Sequence, residues 1–279
     1  MTTDSVYGVD FSGASQAGES VWVTEATVTD SETLRVERCE RADDFLTDHY
    51  PGEPTTDREP TLAALAAFVR GLDSRAAVGF DFPFAVPRAV AAGAFGADSW
   101  REVVAAVEEC GDADAFAETC VEWTATERED DATYLRRETD ETHGAFSPYH
   151  FFVQHQTYHG IADVLAPVAD HARVVPFDDP ATGSGPVVAE TYPAGVLDAL
   201  GLCREGYKGA EESHQTRRRR NLDGLADRTD VGIPDGLRET YLGDREGDAL
   251  DSLLAAVAVC RNRDGWGHEP GSLEARIYV

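Results

Sequence analysis

Acidic side chains stand at four points of this chain where they could meet. The stretch VYGVDFSGAS, residues 6 to 15, is an apolar run that predicts a strand and ends on Asp10 before a turn of Ser and Gly. A carboxylate there either starts the turn by hydrogen-bonding its own backbone or is aimed at other acids across a sheet edge. The run AAVGFDFP ends a second apolar strand on Asp81 before Pro83, VVAETYP carries Glu190, and GDALD holds Asp248 and Asp251 three residues apart. On a helix that spacing puts both carboxylates on one face, with Cβ atoms roughly 5–6 Å apart. The pair precedes a strongly apolar stretch, where desolvating two acids is costly unless a cation lies between them. Acids in a first helical turn also satisfy the helix dipole and its free N–H groups. Several hard oxygen ligands gathered at one point suit Mg²⁺ or Mn²⁺, and two such ions about 3.5–4 Å apart can activate a water and stabilise a leaving oxygen on phosphorus.

The elements that must position these acids read as an α/β chain. Three strands come first, Val6 to Asp10, Val21 to Val28 and Thr33 to Cys39, forming an antiparallel meander joined by polar loops. In TLAALAAFVRGL, Leu62, Leu65, Val69 and Leu72 share one helical face, Pro60 suits the first turn, and the helix stops near Gly71. The fourth strand follows and ends at Asp81. Residues 88–185 differ in character: Trp100 to Cys110 and Phe151 to Leu165 read as helices, while GDADAF and TEREDDATYLRRETDETHG read as solvated. This segment is expected to be a helical insertion, or cap, between strands four and five, with residues 1–87 and 186–279 forming the core. Val187 to Pro193 is the fifth strand, Ala194 to Leu200 a helix, and DREGDALDSLLAAVAVC a closing helix with an apolar face of Leu250, Leu253, Leu254, Val257 and Ala258.

The formal net charge is -28, from 52 acidic against 24 basic residues, yet apolar residues make up 42% of the chain. Acid spread along a chain with that much apolar content is unlike a disordered tail. It resembles proteins of salt-in halophiles, whose self-repulsion is screened by concentrated electrolyte. No apolar stretch approaches a membrane span and no basic, then apolar, leader opens the chain, so no membrane partner and a cytoplasmic location are expected. The five cysteines are scattered without a C-x-x-C pair, which supports neither a disulfide framework nor a thiolate zinc site.

Against this acidity, YKGAEESHQTRRRRNLDGL concentrates Lys208, Arg217, Arg218, Arg219 and Arg220 beside a predicted helix start. Arginine forks bind phosphate oxygens, so these five are candidate substrate contacts for a polyanion, or ion-pair partners of neighbouring acids. Salt weakens such contacts steeply, and aromatic rings would then carry more of the recognition. Phe82, Phe84, Tyr149, Phe151, Phe152 and Tyr192 are candidate stacking surfaces or core residues. His155 and His159 lie one helical turn apart with His150 just ahead, a spacing that suits a metal edge, a proton shuttle or an ordinary helix surface.

The ordered motifs GVDFSG, DFP, ETYP and DALDSL resemble the family of predicted RNase H-like nucleases, whose members show a G-V-D opening, a D-x-P strand end, an E-x-x-P segment and a D-A-x-D-A-like closing helix. The likeness covers the core and little of the insertion. It implies a ribonuclease H-like mixed sheet, three antiparallel strands then parallel ones, with helices on both faces. It also implies metal-dependent phosphodiester hydrolysis of nucleic acid, with Mg²⁺ or Mn²⁺ as cofactor and Asp10, Asp81, Glu190, Asp248 and Asp251 as candidate catalytic metal ligands. Asp81 stands where many relatives of the fold use Glu, and Ser252 where Ala is usual. Two other readings stand beside it. An actin-like or sugar-kinase-like ATP-dependent phosphotransferase also opens with a strand, an Asp and a Gly/Ser turn, and an inactive nucleic-acid- or protein-binding module would use the arginine patch alone.

Overall fold

The computed structural model describes residues 3–29, 33–127 and 132–279. Its centre is one seven-stranded mixed sheet in the order β5-β6-β4-β1-β2-β3-β7. The strands are β1 (Ser5–Asp10), β2 (Trp22–Val28), β3 (Leu34–Arg41), β4 (Ala76–Phe80), β5 (Arg173–Val175), β6 (Val187–Glu190) and β7 (Val231–Gly232). β1, β2 and β3 pair antiparallel, while β4 joins β1, β6 joins β4, β5 joins β6 and β7 joins β3, all in parallel. The α/β class and the mixed sheet expected from the sequence are both present.

The burial pattern explains the sequence pattern. Every residue of β4 and of β6 is buried, which is why these central parallel strands read as unbroken apolar runs. The helices α1 (Ala17–Ser20), α2 (Ala42–Phe45), α3 (Arg58–Gly71), α4 (Arg88–Gly93), α5 (Trp100–Glu109), α6 (Ala113–Glu127), α7 (Glu138–His143), α8 (Gln154–His159) and α9 (Ala166–Val168) precede β6. After it come α10 (Pro193–Ala199), α11 (Glu212–Arg228), α12 (Asp235–Gly243) and α13 (Asp248–Asn262). Two layers result. Val9, Val78 and Phe80 share one cluster with Leu62 and Leu65 of α3 and with Val103, Phe116 and Ile161 of the long segment between β4 and β6. Val6, Ala77 and Ala189 share the other with α13 and with Leu222, Leu225 and Tyr241.

The segment between β4 and β6 departs from its sequence reading in three ways. It contains a strand, β5, which extends the sheet edge beside β6. GDADAF is the start of α6, because the Asp112 carboxylate accepts from the Asp114 and Ala115 N–H groups and so caps the helix, while Phe116 and Cys120 bury one face. The stretch read as solvated includes Arg137 and Asp140, which are buried; its residues 128–131 lie outside those described. No helix among the described residues is long and apolar enough to cross a membrane.

Candidate metal centre

Pleat parity decides which acids meet. Val9 is in register with Phe80, and Phe80 with Glu190, so these three side chains share a face. Gly8 and Gly79, in register one step earlier, lie on the opposite face, under α13. A Cβ at Gly8 would overlap the Ser252 carbonyl and the Ala256 amide, and one at Gly79 would sit 2.9 Å from the Ala255 carbonyl. The bare glycine backbone therefore lets α13 lie directly on β1 and β4. Asp10 shares the parity of Gly8, which brings its carboxylate to the first turn of that helix. Asp81 follows Phe80 with the same parity as Asp10, and its N–H donates to the Val9 carbonyl at 3.0 Å.

Asp248 and Asp251 begin α13 as their spacing predicted, and Asp10, Asp248 and Asp251 offer ligand oxygens that all lie within 4.8 Å of one another. The helix start is fixed by Gly247 at φ +82° and by Asp244, whose carboxylate accepts from the Ala249 N–H at 2.9 Å. Ser252 fastens the next turn: its hydroxyl donates to the Ala249 carbonyl at 2.7 Å and lies 2.7 Å from the Thr24 hydroxyl on β2. Ser252 is thus a buried tie between helix and sheet.

Asp10 is 8% exposed, and no hydrogen bond or ion pair reaches its carboxylate among the described residues. Burial, and then the charges of Asp248 and Asp251, push its carboxyl well above the ordinary range. Burial and Asp251 push Asp81 the same way. Asp251 is also raised by burial, against the pull of Lys208 and of the Tyr207 hydroxyl, which donates to Asp251 Oδ1 at 2.7 Å. Lys208 Nζ lies 3.1 Å from Asp248 Oδ1 and 2.7 Å from Asp251 Oδ2. Burial lowers the Lys208 ammonium, but Asp251, Asp10, Tyr207 and Asp248 outweigh it and hold it charged. The donor set fits a hard divalent cation, since three carboxylates converge and one of them, Asp10, has no hydrogen bond or ion pair among the described residues.

Glu190 is not part of this group. Its carboxylate takes a two-pronged contact from the Arg137 guanidinium, 2.7 Å at Oε2 and 2.6 Å at Oε1, and a third bond from the Phe84 N–H at 2.8 Å. Arg137 also holds Asp140, through Nε at 3.0 Å and Nη2 at 2.7 Å. Three donors thus sit on its two oxygens, and Glu190 lies outside the group whose ligand oxygens gather within 4.8 Å of one another. Arg137 and Asp140 were missed because their stretch looked solvated; the signal was an Arg three residues before an Asp at a helix start, where Asp140 also accepts the Arg137 N–H.

The basic patch disperses. Lys208 belongs to the carboxylates. Arg218 is buried and donates to the carbonyls of Gly209 at 3.1 Å and Leu242 at 3.3 Å, and to that of Tyr207, so it braces the Lys208 loop. Arg217 donates to the Gly206 carbonyl at 3.3 Å, and Arg219 and Arg220 stand exposed on α11. Neighbours on a helix point about 100° apart, which is why four consecutive arginines do not make one surface.

The histidines are not in the metal-competent group. His159 pairs with Asp163 at 2.7 Å, His155 lies 3.8 Å from Asp114, and His150 stacks between Phe146 and Phe151. Phe82, Phe84 and Tyr149 are core residues, Tyr192 is half-buried, and Phe151 and Phe152 are exposed. A cleft of about 340 Å³ is lined by Asp81, Arg137, Glu190, Tyr207, Lys208 and Asp251. Comparison with protein-family models, with curated proteins and with solved structures returns no match for this chain.

Proposed function

We propose that Asp10, Asp248 and Asp251 hold a divalent cation, Mg²⁺ or Mn²⁺, and that the protein hydrolyses phosphodiester bonds of nucleic acid in the adjoining cleft. The observation that carries the reading is Asp10, a buried carboxylate with no hydrogen bond or ion pair among the described residues, whose ligand oxygen lies within 4.8 Å of those of two further carboxylates. The order β3-β2-β1-β4-β6, with acids at the end of β1, just after β4 and at the start of the closing helix, supports it as well. A bound cation supplies Lewis-acid polarisation of a phosphoryl oxygen and acidifies a water. Asp81, raised by burial and opening on the same cleft, is the group to take a proton from the attacking water. Lys208 supplies positive charge at the α13 side. Arg219, Arg220 and the exposed rings of Phe151 and Phe152 are the candidate contacts for the polymer.

The phosphotransferase reading needs free amides in the Phe11–Ser15 turn to receive phosphate. There the Ala14 N–H already donates to the Ser12 hydroxyl at 3.3 Å.

The test is Mn²⁺ calorimetry in concentrated KCl on the parent, Asp10→Asn and Asp248→Asn, with cleavage assays on labelled single-stranded, duplex, hybrid and junction substrates. Binding that disappears in both variants, together with metal-dependent cleavage by the parent, is the expected result. Metal binding without cleavage of any substrate would move the binding-module reading forward.

A further inference from the structure

Among the 24 basic residues of the chain, Lys208 is the only lysine. Its position is the carboxylate cluster, where its ammonium bridges Asp248 and Asp251 at 3.1 Å and 2.7 Å. Arginine serves everywhere else, in exposed pairs and in the buried Arg137 clamp alike. The two side chains differ in what they can do: guanidinium is a wide planar fork, while ammonium is a compact point charge with donors in several directions. Only the second has the form of a metal ion.

The loop that carries Lys208 is built to hold it there. Gly206 at φ +72° and Gly209 at φ +132° bracket it with backbone that other residues rarely adopt. The buried Arg218 guanidinium secures the carbonyls on either side, those of Tyr207 and Gly209. The neighbouring Tyr207 hydroxyl donates to Asp251 Oδ1, so both oxygens of Asp251 have direct partners, while Asp10 has no hydrogen bond or ion pair among the described residues. The direct contacts of Lys208 and Tyr207 thus fall on the α13 acids, while Asp10 at the end of β1 feels Lys208 only through space.

We propose, resting on the metal reading above, that Lys208 is a built-in cation standing in the place of one ion of a metal pair, so that the centre takes a single divalent ion on its Asp10 side.

The experiment is a Mn²⁺ titration by calorimetry, in concentrated KCl, of the full chain and of Lys208→Arg and Lys208→Met. One ion is expected for the parent and for Lys208→Arg, and two for Lys208→Met. Two ions in the parent, or one in a folded Lys208→Met, would overturn the inference and leave the metal centre standing. No ion in any of the three would overturn the metal reading and the inference with it. A second measurement does not depend on a variant: reductive methylation with ¹³C-formaldehyde labels Lys208 alone among side chains, and its methyl resonance should broaden away at one equivalent of Mn²⁺. A sharp Lys208 signal at that point would likewise overturn the inference.

Discussion

Asp10 and Glu190 both close strands of one sheet, yet they leave it on opposite faces, because Glu190 is in register with Phe80 and Phe80 with Val9, one residue before Asp10. One carboxylate meets α13 and the other meets Arg137. The two therefore answer to different physics, a buried carboxyl without a hydrogen bond or ion pair among the described residues in the first case and a paired ion cluster in the second.

Replacing Glu190 by Gln should damage the fold and spare the metal. Arg137 would keep Asp140 but lose the negative charge of Glu190 and one of its two accepting oxygens, and breaking a buried pair costs about 3 kcal/mol or more. Urea unfolding in concentrated KCl should register that loss, while Mn²⁺ affinity stays within about twofold of the parent, under 0.5 kcal/mol. A tenfold loss of affinity at unchanged stability would instead return Glu190 to the ligand set.

Asp10→Asn should stabilise the metal-free protein at neutral pH and abolish its Mn²⁺ binding. A carboxyl raised in the folded state holds its proton longer there than in the unfolded chain. Stability from this group is therefore full below the unfolded value of about 4 and is lost as pH rises through the higher folded value. Subtracting the Asp10→Asn stability profile from the parent's should leave a difference that falls with pH above about 4. Adding Mn²⁺ should cancel that fall in the parent alone.

Gly8→Ala tests how α13 reaches the site. The new methyl meets the backbone of Ser252 and Ala256, which cannot swing away as a side chain can. Overpacking of this kind costs about 2–3 kcal/mol. Because Asp248 and Asp251 ride on the displaced helix, Mn²⁺ affinity should fall with stability, read by calorimetry and denaturation on one sample.

The arginines of α11 should separate by burial. Arg218→Ala removes the donor to three backbone carbonyls and should cost about 2 kcal/mol or more. Arg219→Ala and Arg220→Ala should leave stability within about 0.5 kcal/mol. If nucleic acid is the substrate, fluorescence anisotropy with a labelled oligonucleotide should show weaker binding in the two exposed variants and a shallower dependence on salt.

The sequence by itself determined the elements. Alternation marked β2, continuous apolar runs marked β1 and β4, and a three-residue spacing ahead of a Leu- and Ala-rich run put Asp248 and Asp251 on one helical face. These are local properties, written in the period of side chains along one segment. Tertiary structure decided which acids share a site. The face taken by Glu190 depends on the register of β6 against β4, set by pairing between segments more than a hundred residues apart in sequence. The Arg137 clamp joins residues 53 positions apart, and the Lys208 bridge to Asp248 spans 40. A charge reads as solvated in sequence until a distant partner buries it, and only the folded chain brings the partner: Arg137 to Glu190, Lys208 to Asp251, and to Asp10 no hydrogen bond or ion pair among the described residues.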